Sequence, residues 1–246
     1  RALIHQTKSA WLQTLTSLDH EEDDPGTTWN KDSRERDPER MSPRVAWRAI
    51  QAGIPQDAII SSDIGNNCAI GNAYPIFEKG RKYLAPGLFG PCGYGFPSIL
   101  GAKIGCPNTP VIGFAGDGAF GISMSEMTSC NRKEWPNITM VIFRNYQWGA
   151  EKRNSILWYD NNFIGTELDP ELSYAKIAEA CGSKGVEVKT PSELTEAIKT
   201  SCVEQQKGIT TFIEVILNQE LGEPFRRDAM KKPVHVAGIN SGDMQN

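Results

Sequence analysis

Histidine is scarce in this 246-residue sequence. His5, His20 and His235 are the only three, and all lie outside its central region, which excludes a histidine-based triad or a histidine-rich metal centre there. No stretch approaches the roughly 20 consecutive apolar residues that a membrane span requires. Charge of one sign is also missing: 26 basic and 30 acidic residues are mixed along the chain for a net charge of -4, so there is no basic field for nucleic acid. The six cysteines (Cys68, Cys92, Cys106, Cys130, Cys181 and Cys202) form no C-x-x-C pair, which argues against a zinc site or disulfide framework and for reduced thiols in a cytoplasmic setting. No internal repeat is visible. The opening residue is Arg1, and the first segment has neither the apolar run of a signal peptide nor the acid-poor character of a transit peptide, so the expectation is that sequence upstream is missing.

What remains is an ordinary globular composition, 39% hydrophobic and 23% charged, long enough for one large domain. Residues 1–40 read as a helix-like piece, Ala2 to Leu18, and then a charged linker punctuated by proline and glycine. From Met41 the pattern changes. Ser42 caps a helix with Pro43 at its first position and Gly53 at its end, and strands and helices alternate thereafter. Strands are expected near Ala58–Ser62, Pro110–Ala115, Ile138–Arg144, Val186–Lys189 and Thr210–Leu217. Helices are expected near Phe96–Ile104, Ala119–Asn131, Pro170–Ala180 and Pro191–Gln206, the last announced by the capping box Thr190-Pro-Ser-Glu193. Short apolar strands alternating with helices predict an α/β fold, a doubly wound parallel sheet with helices on both faces. The predicted domain covers 41–218, and the polar tail 219–246 is expected to lie over its surface.

The strand at Pro110–Ala115 runs into Gly116-Asp117-Gly118-Ala119 and opens a helix. In an open parallel sheet, ligands bind just beyond the carboxyl ends of the strands, where helix N-termini offer free N–H groups to phosphate. Asp117 therefore stands where a cation bound to a diphosphate needs a carboxylate. The strand at Ile138–Arg144 ends in Asn145-Tyr146-Gln147-Trp148-Gly149, bringing further oxygen ligands to the same edge. Magnesium takes hard oxygen ligands, only a few of them from protein. Taken alone, Gly-Asp-Gly is also an ordinary tight turn from strand to helix, and Asn145 an ordinary turn residue.

With the spacing from Asp117 to Asn145, the sequence resembles the thiamine-diphosphate enzyme superfamily. The resemblance implies thiamine diphosphate and Mg2+ as cofactors, with the Asp117 carboxylate, the Asn145 side chain and the Gln147 backbone carbonyl on the metal and Gly118 and Ala119 facing the diphosphate. Asp63-Ile-Gly65-Asn66-Asn67 and Gly90-Pro-Cys92-Gly93-Tyr94-Gly95 are similar to two more cofactor-contacting loops, and the resemblance also implies Gly149 as a cofactor contact. The bulky residue that bends the cofactor in that superfamily falls on Cys92, so either neighbours fill the space or the wedge is weaker here.

Arg144–Asn154, Asn161–Glu167 and Asn218–Pro233 resemble the sulfoacetaldehyde acetyltransferases. That resemblance implies conversion of sulfoacetaldehyde and phosphate to acetyl phosphate and sulfite, in a homodimer or homotetramer, with an activating glutamate on a pyrimidine-binding domain that no segment here resembles. Lys152 and Arg153 are the candidate anion-binding residues for sulfonate or phosphate, with Arg226, Arg227, Lys231 and Lys232 in the tail as weaker ones. The alternatives are an acetolactate-synthase-like activity and a non-catalytic diphosphate-binding module.

Overall fold

A computed structural model describes residues 28–72, 74–77 and 82–222, without the side chains of 28–30, 157 and 158. The expected helix at Ala2–Leu18, all three histidines and the four tail cations lie outside the described residues. In chain order the elements are α1 (Thr28–Arg36), α2 (Pro43–Gly53), β1 (Ile59–Ser62), α3 (Asn66–Gly71), β2 (Tyr83–Leu84), α4 (Gly95–Gly105), β3 (Val111–Gly116) and α5 (Asp117–Ser123). They continue with β4 (Thr139–Arg144), α6 (Gly149–Trp158), α7 (Tyr174–Ala180), β5 (Lys184–Val188), α8 (Pro191–Glu204) and β6 (Thr211–Ile216).

All six strands pair in parallel, in the order β2-β1-β3-β4-β6-β5. Strand side chains alternate between two cores. Phe114, Val141, Phe143, Ile213 and Val215 pack with Trp47 and Ile50 of α2 and with Leu194 and Ile198 of α8. On the other face Ala115, Met140, Ile142 and Phe212 pack with Phe96 and Ile99 of α4, Phe120 of α5 and Tyr174 of α7. Strands buried on both faces explain their nearly unbroken apolar sequences. Because every strand runs the same way, the carboxyl ends of β1, β3, β4 and β6 meet at one edge. The order reverses between β1 and β3, the switch point at which open sheets of this kind leave a crevice.

The α2 cap from Ser42 Oγ to Val45 N and the complete capping box at Thr190 are as the sequence predicts. Other expectations change. Residues 28–36, read as linker, form α1. The helix expected over Ala119–Asn131 is α only to Ser123 and continues as a 3₁₀ turn, Met124–Ser129. The helix expected from Pro170 starts instead at Tyr174, capped by Ser173. The beginning of the tail does not lie over the surface, because Glu220, Leu221 and Gly222 are buried. All six cysteines are free, and among the described residues no helix is long and apolar enough to cross a membrane.

Candidate functional site

The crevice at the switch point holds a cavity of about 350 Å³. Its lining brings together all eleven residues nominated from the sequence as cofactor contacts: Gly65, Asn66, Asn67, Gly90, Cys92, Asp117, Gly118, Ala119, Asn145, Gln147 and Gly149. Four separate loops, after β1, before α4, after β3 and after β4, converge to form it.

Each loop is held by the charge or amide at its base. Asp63, at the end of β1, accepts backbone N–H bonds from Ile64 (2.8 Å), Gly93 (3.1 Å) and Gly95 (2.6 Å), which ties the glycine-rich loop to the strand end. Burial raises its pKa, and those three amides oppose the rise. Asp117 is 1% exposed. Its Oδ2 accepts from Tyr146 N at 2.7 Å and from Arg144 Nη1 at 3.1 Å, and its Oδ1 accepts from Gly118 N at 3.0 Å. Burial pushes its pKa up to about 6 against the pull of the Arg144 guanidinium and these hydrogen bonds. Arg144 is itself fully buried, paired with Glu214 at 3.5 Å and donating to the carbonyls of Asp169 and Leu172. Tyr174 OH donates to Asp117 O at 2.9 Å. One carboxylate of the site is thus fixed by a buried, neutralised network.

The turn after β4 is bent by an uncommon backbone. Tyr146 has φ 61°, a left-handed conformation that costs a non-glycine residue on the order of 1–3 kcal/mol and survives only where its surroundings over-determine it. Here its N–H is bound to Asp117, and its ring centroid lies 4.3 Å from the Arg144 guanidinium and 4.8 Å from that of Arg40. Beyond it, Trp148 N donates to Thr166 O and Leu168 N to Tyr146 O, flanking the isolated pair Gln147–Glu167. In that arrangement the Gln147 carbonyl points off the ladder and stays available.

Asn145 Nδ2 and Gln147 Oε1, both buried in the lining, have no hydrogen-bond partner. Such orphans are rare in folded proteins and mark places where a polar ligand belongs. Close packing completes the wall. A Cβ on Gly118 would come within 2.8 Å of the Trp148 ring, so this position admits no side chain. The donor set of one carboxylate, one amide and one backbone carbonyl, with no cluster of three His, Cys, Asp or Glu among the described residues, suits a hard cation sharing phosphate oxygens.

The two candidate cations part company. Arg153 lines the cavity and donates through Nη1 to Gly222 O at 2.8 Å. Lys152 is not in the lining. It is 1% exposed, paired with Glu167 and set 5.3 Å from the Phe163 ring centroid. Cys92 is exposed in the lining, and burial of part of its surface still raises its thiol pKa. Sequence reasoning missed α6, whose first turns bring Ala150, Glu151 and Arg153 to the cavity, and missed Trp148 as lining. It also missed Gln219 and its neighbours beside the Asn145–Gln147 turn, where a polar composition gave no signal.

A parallel sheet with this order, carrying a crevice in which four loops surround one buried carboxylate, defines a diphosphate-cofactor-binding domain. The chain belongs to the family described as thiamine pyrophosphate enzyme, C-terminal TPP binding domain, whose model matches residues 63–215. It is 75% identical over its whole length to a probable sulfoacetaldehyde acetyltransferase of Rhizobium meliloti (strain 1021), of which it covers 42%. It is 68% identical over its whole length to a sulfoacetaldehyde acetyltransferase of Roseovarius nubinhibens, of which it covers 41%. The chain therefore spans about two fifths of the length of these curated relatives. Among solved structures, a thiamine diphosphate-dependent 4-hydroxybenzoylformate decarboxylase from Rhodococcus jostii RHA1 superposes with a TM-score of 0.65 at 25% identity, over 73% of this chain and 33% of that one.

Proposed function

We propose that this chain is the cofactor-binding part of a thiamine-diphosphate-dependent sulfoacetaldehyde acetyltransferase, which converts sulfoacetaldehyde and phosphate to acetyl phosphate and sulfite in the cytoplasm. The observation that carries the reading is identity of 75% and 68% across the whole chain to relatives bearing that name, together with a cavity whose lining suits the cofactor. Magnesium would be held by the Asp117 carboxylate, the Asn145 amide and the Gln147 carbonyl. A carboxylate facing a diphosphate is repulsive on its own, and a divalent cation between them turns that repulsion into attraction.

The chemistry that thiamine diphosphate supplies when bound is a nucleophilic carbon for addition to a carbonyl. The residues of this chain do the rest at their own positions. Gly65, Asn66, Gly118 and Ala119 cradle the phosphates, and Trp148 stacked against Gly118 keeps water from that wall. Arg153 attracts the sulfonate or phosphate anion, while Lys152, already committed to Glu167, holds the base of α6. Leu88 and Phe89, which stand in solvent beside the Gly90 edge of the cavity, suit burial by a second subunit of a homodimer or homotetramer.

The test is sulfite release from sulfoacetaldehyde by the full-length gene product. Release that requires phosphate, magnesium and thiamine diphosphate is the expected result. Acetolactate formed from pyruvate with no sulfite from sulfoacetaldehyde refutes the assignment in favour of an acetolactate-synthase-like enzyme, and turnover of neither substrate leaves a diphosphate-binding module.

A further inference from the structure

Gln219 braces the turn after β4 without lining the cavity. Its N–H donates to Ser33 Oγ at 2.9 Å, and Ser33 is completely buried. Its carbonyl accepts from Gln147 Nε2 at 3.1 Å, and its own Nε2 donates to Asn145 O at 3.3 Å and to Glu167 Oε2 at 3.3 Å. The next residues continue the attachment: Glu220 O accepts from Asn66 Nδ2 at 3.2 Å, and Gly222 N donates to Asn66 Oδ1 at 2.7 Å. A short polar strap from the end of β6 therefore grips cavity residues from behind.

The grip is selective. Asn145 is held by its backbone carbonyl and Gln147 by its side-chain amide, so neither the Asn145 amide nor the Gln147 carbonyl is used up. The two held residues flank Tyr146, whose left-handed backbone needs restraint on both sides.

We propose that Gln219 is a positioning residue for the cation-binding turn Asn145–Gln147, anchored in turn by Ser33 of α1. The inference rests on the proposed cofactor function and adds that Gln219 and its anchor Ser33 set metal affinity. A merely structural role predicts lost stability with metal affinity intact.

The experiment compares Gln219→Met, which keeps the length and loses the donors, with Arg34→Met in the full-length gene product. Arg34 pairs with Glu220 at 3.4 Å, a contact to the strap beyond Gln219. Calorimetric titration of Mg2+ at saturating thiamine diphosphate gives the affinity, and a thermal melt without ligands gives the stability. Loss of two net hydrogen bonds predicts about tenfold weaker Mg2+ binding in Gln219→Met, little change in its melt, and unchanged Mg2+ affinity in Arg34→Met. Should Gln219→Met not fold, Ser33→Ala, which frees the strap at its anchor, is read in the same way. Wild-type Mg2+ affinity in the Gln219 or Ser33 variant, or equal weakening in Arg34→Met, overturns the positioning role. Failure of the wild-type protein to bind Mg2+ with thiamine diphosphate overturns the cofactor function instead.

Discussion

Replacing Asp117 with Asn separates stability from metal binding. The carboxylate is fully buried and its pKa is raised to about 6, so at neutral pH the fold carries the cost of keeping it ionised. The interval from 3.8 to about 6, at 1.36 kcal/mol per pH unit, corresponds to roughly 3 kcal/mol that the neutral amide does not incur. That figure is net of the pull from Gly118 N, Tyr146 N and Arg144 Nη1, so relief of the charge offsets the bonds that a single amide oxygen gives up, and the unfolding free energy of Asp117→Asn stays within about 3 kcal/mol of wild type. Affinity for Mg2+ has no such offset, because the only carboxylate in the donor set is gone, and it falls by roughly 100-fold or more. Urea unfolding of the apo protein and calorimetric titration of Mg2+ with thiamine diphosphate measure the two quantities. Tight Mg2+ binding by a folded Asp117→Asn protein refutes the assignment of this carboxylate to the metal.

The same raised pKa sets a pH dependence: Asp117 favours the apo fold most below pH 3.8, and that contribution is withdrawn as pH climbs to about 6. Because the cation requires the ionised form, Mg2+ affinity falls about tenfold per unit below pH 6, and titrations at pH 5 and pH 7.5 check it. Gly118→Ala drives a methyl into the Trp148 ring and costs about 1–3 kcal/mol, seen as a lower Tm and altered tryptophan emission. Arg153→Met raises KM for the anionic substrates about tenfold or more with Mg2+ affinity unchanged, measured by the sulfite assay. Thr190→Ala removes half of the capping box and lowers stability by about 1 kcal/mol in chemical unfolding, with no effect on ligand affinity.

Most of the frame was legible because its signals are local. Apolar strands bounded by glycine and asparagine, Ser42-Pro43 and Thr190-Pro-Ser-Glu193 each specify an element through contacts a few residues apart, and these elements lie within one or two residues of expectation. The two-residue β2 carries too little sequence to announce itself, and its pairing is supplied by β1. Helix α6 has no apolar period, and it buries Lys152, whose charge is matched by the distant Glu167. A lysine in a polar run reads as solvated until that partner is known. The strap was misread for the same reason: Gln219 and Glu220 are polar because they satisfy polar groups of the site rather than water. The cavity residues were legible as separate motifs, whereas α1, Ser33 and the strap behind them depend on contacts spanning up to 186 positions.

The all-parallel sheet also governs when the binding function can arise as the chain folds. Parallel neighbours cannot be zipped together by tight hairpins, so the strand ends meet only after several long crossovers have closed. Thiamine diphosphate uptake is therefore a late event and a sensitive reporter of completed folding: a chain halted before β6 joins the sheet has its apolar strands but no strap to brace the Asn145–Gln147 turn. Ligand added during refolding will accumulate on finished molecules and draw the equilibrium toward them, without speeding the slow pairing steps that precede it.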